Sequence, residues 1–209
     1  MNKVSSATDY KYSVGHQPHT DKILGPIVLR YIRDHHVKSV LDIGCGTGTM
    51  VRAMSDVCDT VVGMDPSESG IEEAQKNCPA GKFYCLGIYD NPEAISENAF
   101  DMVVSTEVVE HVFYPRELPR FAAKKLRSGG IFLVSTPYHG YLKNVAIAAL
   151  GKWDSHHTVF WDGGHIKFWS RATLTKLLEE EGFDVIGFHG CGRAPYLWES
   201  MILVGRKRA

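Results

Sequence analysis

The chain has 209 residues, 44% of them hydrophobic and 22% charged, with 23 lysines and arginines against 24 acids. The length suits one domain on the usual ~100–200 residues per domain, and the composition excludes a disordered, collagen-like or coiled-coil protein. A formal net charge of −1 and a pI near 6.8 provide no global basic field, which argues against nucleic acid as a partner.

The first 20 residues are polar and aromatic without a clear period. From Thr20 to His36, residues Ile23, Leu24, Ile27, Val28, Tyr31 and Ile32 recur at three- and four-residue steps, predicting an amphipathic helix that Pro26 weakens. Ser39 to Ile43 is a short apolar run stopped by glycines, hence a buried strand. Met50 to Val57 reads as a helix and Thr60 to Met64 as a second strand. Ser67 is a plausible N-cap for a helix through Asn77. Lys82 to Leu86 and Phe100 to Ser105 are the third and fourth strands. Glu107 to Val112 begins a helical stretch, a further helix covers Arg116 to Leu126, and Ile131 to Ser135 is the fifth strand. Arg171 to Glu181 is a helix, followed by strands at Phe183 to Phe188 and Ser200 to Gly205.

Strands alternating with helices predict an α/β fold, a doubly wound and mostly parallel seven-stranded sheet with one antiparallel strand at or near an edge. The expected parts of this single domain are an N-terminal arm and helix (1–36), a core (37–135), an aromatic-rich insert (136–170) and a C-terminal helix with strands (171–209). No apolar run approaches the ~20 residues that span a bilayer. The opening MNKVSSATDYKYS lacks the apolar core of a secretory leader. Five scattered cysteines, none spaced C-x-x-C, read as reduced thiols, so a cytoplasmic chain is expected.

The string from Val40 to Thr49 puts a glycine-rich turn straight after a buried strand, where ligands of doubly wound sheets lie. Asp65 closes the next strand 21 residues after Gly44, a spacing that suits a carboxylate on ribose hydroxyls. A dinucleotide fold would place its third glycine at position 49, which is Thr49; a nicotinamide oxidoreductase is therefore disfavoured.

With glycines at 44, 46 and 48, VLDIGCGTG resembles motif I of the class I S-adenosylmethionine-dependent methyltransferases. The resemblance implies S-adenosylmethionine as cofactor, wrapped at its methionine part by Gly44, Cys45 and Gly46. It further implies Asp65 at the ribose, Ile88, Tyr89 and Asp90 at the adenine, Thr106 beside the methionine moiety, and Pro66 as a further cofactor contact.

Glu107, Glu110 and His111 stand at i, i+3 and i+4, one side of the expected helix at the tip of strand four. Two carboxylates and an imidazole would suit Mg²⁺, Mn²⁺ or Zn²⁺ there, although acids in a first helical turn also simply oppose the dipole. The segment STEVVEHV is similar to that of the ubiquinone-biosynthesis O-methyltransferases, and Gly164 to Phe168 resembles a later stretch of the same enzymes. That resemblance implies a divalent cation at Glu107, Glu110 and His111, with His165 a further ligand or polar contact. His111 and His165 are the candidate catalytic residues, acting through the cation or as general base.

The insert carries Tyr138, His139, Trp153, His156, His157, Trp161 and Trp169, an aromatic content suited to covering a small-molecule substrate. Leu142, Val145, Ala146, Ala149, Leu150 and Trp153 form one stripe. It reads either as a helix packing on the sheet, the expectation here, or as an interfacial helix giving peripheral membrane contact through 142–153. The function expected is O-methylation of a phenol- or quinol-like hydroxyl, with a sugar or glycan as the alternative acceptor.

Overall fold

The computed structural model describes residues 19–157 and 159–209; expectations for the arm before His19 lie outside the described residues. The helix α1 (Asp21–Asp34) is followed by β1 (Ser39–Ile43), α2 (Thr49–Ser55), β2 (Thr60–Asp65), α3 (Glu68–Asn77), β3 (Lys82–Cys85) and β4 (Phe100–Ser105). Then come α4 (Glu117–Lys125), β5 (Leu126–Pro137), α5 (Tyr141–Ala149), α6 (Trp153–His157), α7 (Arg171–Glu180), β6 (Phe183–Cys191) and β7 (Ser200–Lys207). The seven strands form one sheet in the order β3-β2-β1-β4-β5-β7-β6. The first five run parallel, while β7 runs antiparallel between β5 and the edge strand β6.

Side chains alternate across each strand, so every central strand feeds two cores. Leu41, Val103, Phe132, Val134 and Leu203 meet Leu118, Phe121, Leu174 and Leu178 on the face covered by α4 and α7. Val40, Met102, Leu133, Ile202 and Val204 meet Leu24, Val28, Met50 and Val51 on the face covered by α1 and α2. Ser67 caps α3 as its sequence suggests, accepting from the Gly70 N–H at 3.1 Å. Among the described residues no helix is long and apolar enough to cross a membrane.

Two expectations are corrected. The stretch from Glu107 to Val112 is not a helix but a tight turn, closed by the His111 N–H on the Val108 carbonyl. Its cause is Glu107, which adopts φ +55° and gives its N–H to the Ser135 hydroxyl. That tertiary bond holds a conformation no helix contains. The second correction concerns α5, whose apolar stripe does not pack on the sheet. Leu142 and Val145 are exposed, and the residue turned inward is Lys143.

Candidate active site

The turn after β1 follows from its glycines. Gly44, Gly46 and Gly48 adopt φ of +81°, +50° and +75°, a region where side-chain-bearing residues are strained. A β-carbon added to Gly44 would sit 2.3 Å from Val108 Cγ2, so the turn lies flat against the Glu107–His111 segment. The N–H groups of Gly44 and Cys45 both donate to the Met64 carbonyl, tying the loop to the end of β2. There Asp65, buried, accepts from the Gly46 N–H at 3.0 Å and the Ser67 N–H at 2.9 Å. Burial raises its carboxyl pKa against the pull of those two donors. Each Asp65 oxygen keeps a lone pair for another donor. Pro66 beside it is exposed.

Beneath the loop lies Asp42, which the sequence reading did not single out although it interrupts a buried apolar strand. It is 1% exposed and its Oδ1 has no hydrogen-bond partner. Burial, then the charges of Asp21 and Asp65, push its carboxyl up to about 8. Because the folded-state value exceeds the unfolded one, the folded form binds the extra proton, and stability is lost as pH rises from about 4 to about 8. Asp42→Asn is therefore expected to match the wild-type melting temperature near pH 4 and to exceed it increasingly up to pH 8. The gap should grow by up to about 1.4 kcal/mol per pH unit, with each kcal/mol worth roughly 2–4 °C in a domain of this size. Thermal melts at pH 4, 6 and 8 measure it, and parallel curves for the two proteins would contradict the assignment.

On the far side of β2, Ile88 is buried, Tyr89 is exposed and its hydroxyl accepts from the Tyr114 N–H at 3.0 Å. Asp90 closes its turn by accepting from the Gly87 N–H at 2.8 Å. Ile88 and Tyr89 open onto a groove of about 890 Å³ shared with Asn91, Tyr114, Arg116 and Phe121, and no residue of the glycine turn lines it. Thr106 is half-buried at the tip of β4.

Of the four expected cation ligands, the structure brings together three. Glu110, His111 and His165 offer ligand atoms that all lie within 4.8 Å of one another. Glu110 is 1% exposed, neither carboxylate oxygen has a partner in hydrogen-bond geometry, and the buried Thr136 hydroxyl beside it lacks one as well. Nε2 of His111 and Nε2 of His165 each stand 4.0 Å from its Oε1. His111 Nδ1 lies 2.8 Å from the Gly163 carbonyl, which can only accept, so Nδ1 carries the proton and Nε2 faces Glu110 with a lone pair. A lone pair against a buried carboxylate repels unless a proton or a cation lies between. Ligands about 2.0–2.1 Å from a tetrahedral ion stand roughly 3.4 Å apart, so the three groups need only a small inward movement to hold one.

Burial, then the Glu107 charge, raises the Glu110 pKa well above the ordinary carboxylate range. Burial lowers the imidazole of His111, and burial with the nearby His111 pushes His165 down to about 4. Glu107 stays apart from this group. Its carboxylate accepts from Ser135 Oγ at 2.7 Å and Ser200 Oγ at 3.1 Å, and burial pushes it up to about 7.

The end of the insert is pinned to the same turn. Ile166 and Lys167 N–H groups donate to the Glu110 carbonyl, and Trp169 Nε1 donates to the Val109 carbonyl at 3.3 Å. His139 follows β5 and stacks on His157 with centroids 5.8 Å apart, and His156 lies 5.0 Å from His157. Lys143, not foreseen from sequence, is buried beside them. No periodicity marks it, since its helix is apolar on the opposite side.

Residues 17–187 match the profile of a family described as methyltransferase domain. The chain is 33% identical over 158 residues to a ubiquinone biosynthesis O-methyltransferase of Dinoroseobacter shibae, covering 72% of this chain and 62% of that protein. It is 32% identical over 197 residues to the enzyme of the same name from Bradyrhizobium diazoefficiens, covering 83% and 75% respectively. The match thus spans less than two thirds of the first relative's length. In fold, the chain resembles the N-methyltransferase NodS from Bradyrhizobium japonicum, solved with S-adenosyl-L-homocysteine, at a TM-score of 0.67 and 15% identity, covering 98% and 95%.

Proposed function

Since the chain belongs to the methyltransferase domain family and is an S-adenosylmethionine-dependent enzyme, we propose that it methylates the hydroxyl of a small phenol or quinol with help from a divalent cation. The observation that carries the reading is the buried carboxylate of Glu110, both oxygens unpartnered, faced by two imidazole nitrogens on the turn that abuts the glycine loop.

The residues fit both groups. Gly44, Gly46 and Gly48, all at positive φ, make a turn of bare backbone on which a ligand can lie. The spare lone pairs of Asp65 suit ribose hydroxyls, and the orphaned Oδ1 of Asp42 suits a donor at the amino-acid end. S-adenosylmethionine, when bound, supplies an activated methyl group, which leaves the chain to orient the acceptor and assist its deprotonation. Glu110, His111 and His165 would hold the cation, which lowers the pKa of a hydroxyl placed against it.

His165, held neutral with a value near 4, is a weak proton acceptor on its own, so its ligand role is favoured over general-base catalysis. The Gly163 carbonyl fixes the His111 ring and keeps Nε2 unprotonated, as orienting partners of ligating histidines do. The outward Leu142, Val145 and Leu150 support a peripheral lipid contact.

The purified protein is expected to give binding heat with S-adenosylhomocysteine and to methylate catechol, read by mass spectrometry. Chelation should lower that transfer by about 100-fold or more, with recovery on adding Mg²⁺, Mn²⁺ or Zn²⁺. Binding heat without any transfer to catechol would remove the phenol acceptor, and transfer indifferent to chelation would remove the cation.

A further inference from the structure

Three lysine ammonium groups are drawn into the interior of this protein, and two have ready structural explanations. Lys125 Nζ donates to the carbonyls of Ile95 at 2.8 Å and Glu97 at 3.2 Å and to Asn98 Oδ1 at 2.7 Å. Lys207 Nζ donates to the carbonyls of Ala123 at 2.6 Å and Leu126 at 2.8 Å. Lys143, only 6% exposed, has a single protein partner, the Glu199 carbonyl at 3.4 Å, at the long limit of a hydrogen bond. Among the described residues no carboxylate lies within ion-pair distance of it, and the oxygens of nearby Glu107 are taken by Ser135 and Ser200. A buried ammonium so poorly matched is expensive to keep.

Its acidic neighbours compensate it only in part. The groups that share its field are Glu107 and Glu199 on one side and His139, His156, His157 and Arg193 on the other. The Nε2 atom of His157 is also buried without a hydrogen-bond partner. Phe168 stands edge-on to both His139 and His157, with centroids 5.1 and 4.9 Å away, so the two unsatisfied polar groups are accompanied by flat ring walls. The His139 N–H donates to the Trp169 carbonyl at 3.0 Å and Trp169 Nε1 donates to the Val109 carbonyl at 3.3 Å, which ties this basic group to the turn that carries Glu110.

Resting on the O-methylation reading above, we propose that Lys143 is a specificity residue that pairs with a carboxylate on the acceptor, with His157 Nε2 as a second donor. The substrate class is then a hydroxylated aromatic acid. Burial lowers the pKa of the three histidines and leaves Lys143, at about 8, as the buried positive charge, which matches one carboxylate better than a phosphate dianion. Flat rings around the charge suit an aryl group.

The test compares catechol with 3,4-dihydroxybenzoate as methyl acceptors for wild type, Lys143→Met and Lys143→Arg. Wild type is expected to favour the benzoate by about 30-fold or more in kcat/KM, chiefly through KM. Lys143→Met should bring the ratio to within about threefold of one, and Lys143→Arg should restore part of it. Lys143→Met should keep its binding heat with S-adenosylhomocysteine and melt at or above wild type, because an under-satisfied buried charge has been removed. A wild-type ratio near one, or a preference that survives Lys143→Met, overturns the assignment while leaving the phenol reading intact. Failure of both acceptors despite cofactor binding overturns the phenol reading and this assignment together.

Discussion

Gly44→Ala is expected to weaken S-adenosylhomocysteine binding by at least about 100-fold and to lower the melting temperature. Two effects add. An alanine held at φ +81° costs roughly 1–2 kcal/mol of backbone strain. Its β-carbon would lie 2.3 Å from Val108 Cγ2, a separation that cannot persist, so either the glycine turn or the Val108 turn must move. Val108 is two residues from Glu110, and a shift there would displace both the proposed cofactor cradle and the group formed by Glu110, His111 and His165. The double variant Gly44→Ala/Val108→Ala removes the collision and keeps the strain, so it should regain part of the lost stability. Calorimetric titration and thermal melts of the three proteins measure these effects. Binding by Gly44→Ala within about threefold of wild type would show that the turn does not cradle the ligand.

The second large effect is expected at Glu110. Glu110→Gln keeps the shape and neutrality of the protonated acid and removes its capacity to bind a cation as an anion. Since burial and Glu107 already favour the protonated form, the fold should tolerate the change, and by the same linkage as at Asp42 the variant should melt at or above wild type near neutral pH. Turnover should fall by about 10²–10⁴-fold, the range lost when activation of a nucleophile is removed, and added metal should not rescue it. Bound metal measured by elemental analysis should fall in parallel. Activity within about threefold of wild type, with unchanged metal content, would refute the role given to Glu110. The wild-type site should also load metal more readily as pH rises, because Glu110 must release its proton on binding.

The framework was legible because local signals and tertiary demands agree along most of the chain. Runs such as Ser39–Ile43 and Phe100–Ser105 are too short for helices and end at polar or glycine positions, and both are strands. Ser67 was recognisable as a cap because its hydroxyl needs only a local N–H. The glycine turn was legible for the same reason, since its positive φ values are a property of the residues themselves.

Where long-range contacts decide, the sequence misleads. The spacing of Glu107, Glu110 and His111 looks helical, yet the N–H and carboxylate of Glu107 are bound by Ser135 and Ser200 from distant strands. The cluster gains its third member from His165 instead, which local spacing alone could not place. The apolar stripe of α5 is real, but which side of a helix faces inward depends on what lies beneath it. Below α5 lie Glu107 and the Glu199 carbonyl, so Lys143 is drawn in.

The placement of β7 has a consequence for synthesis. This late strand is wedged between β5 and β6, and its first residue, Ser200, supplies a hydroxyl to Glu107 across 93 positions of sequence. A nascent chain that has emerged only as far as β6 leaves the flank of β5 unsatisfied, with a row of backbone donors and acceptors open to other polypeptides. Pairings over such separations form slowly. On the ribosome, the interval before β7 arrives is when a chaperone holding that flank would matter most.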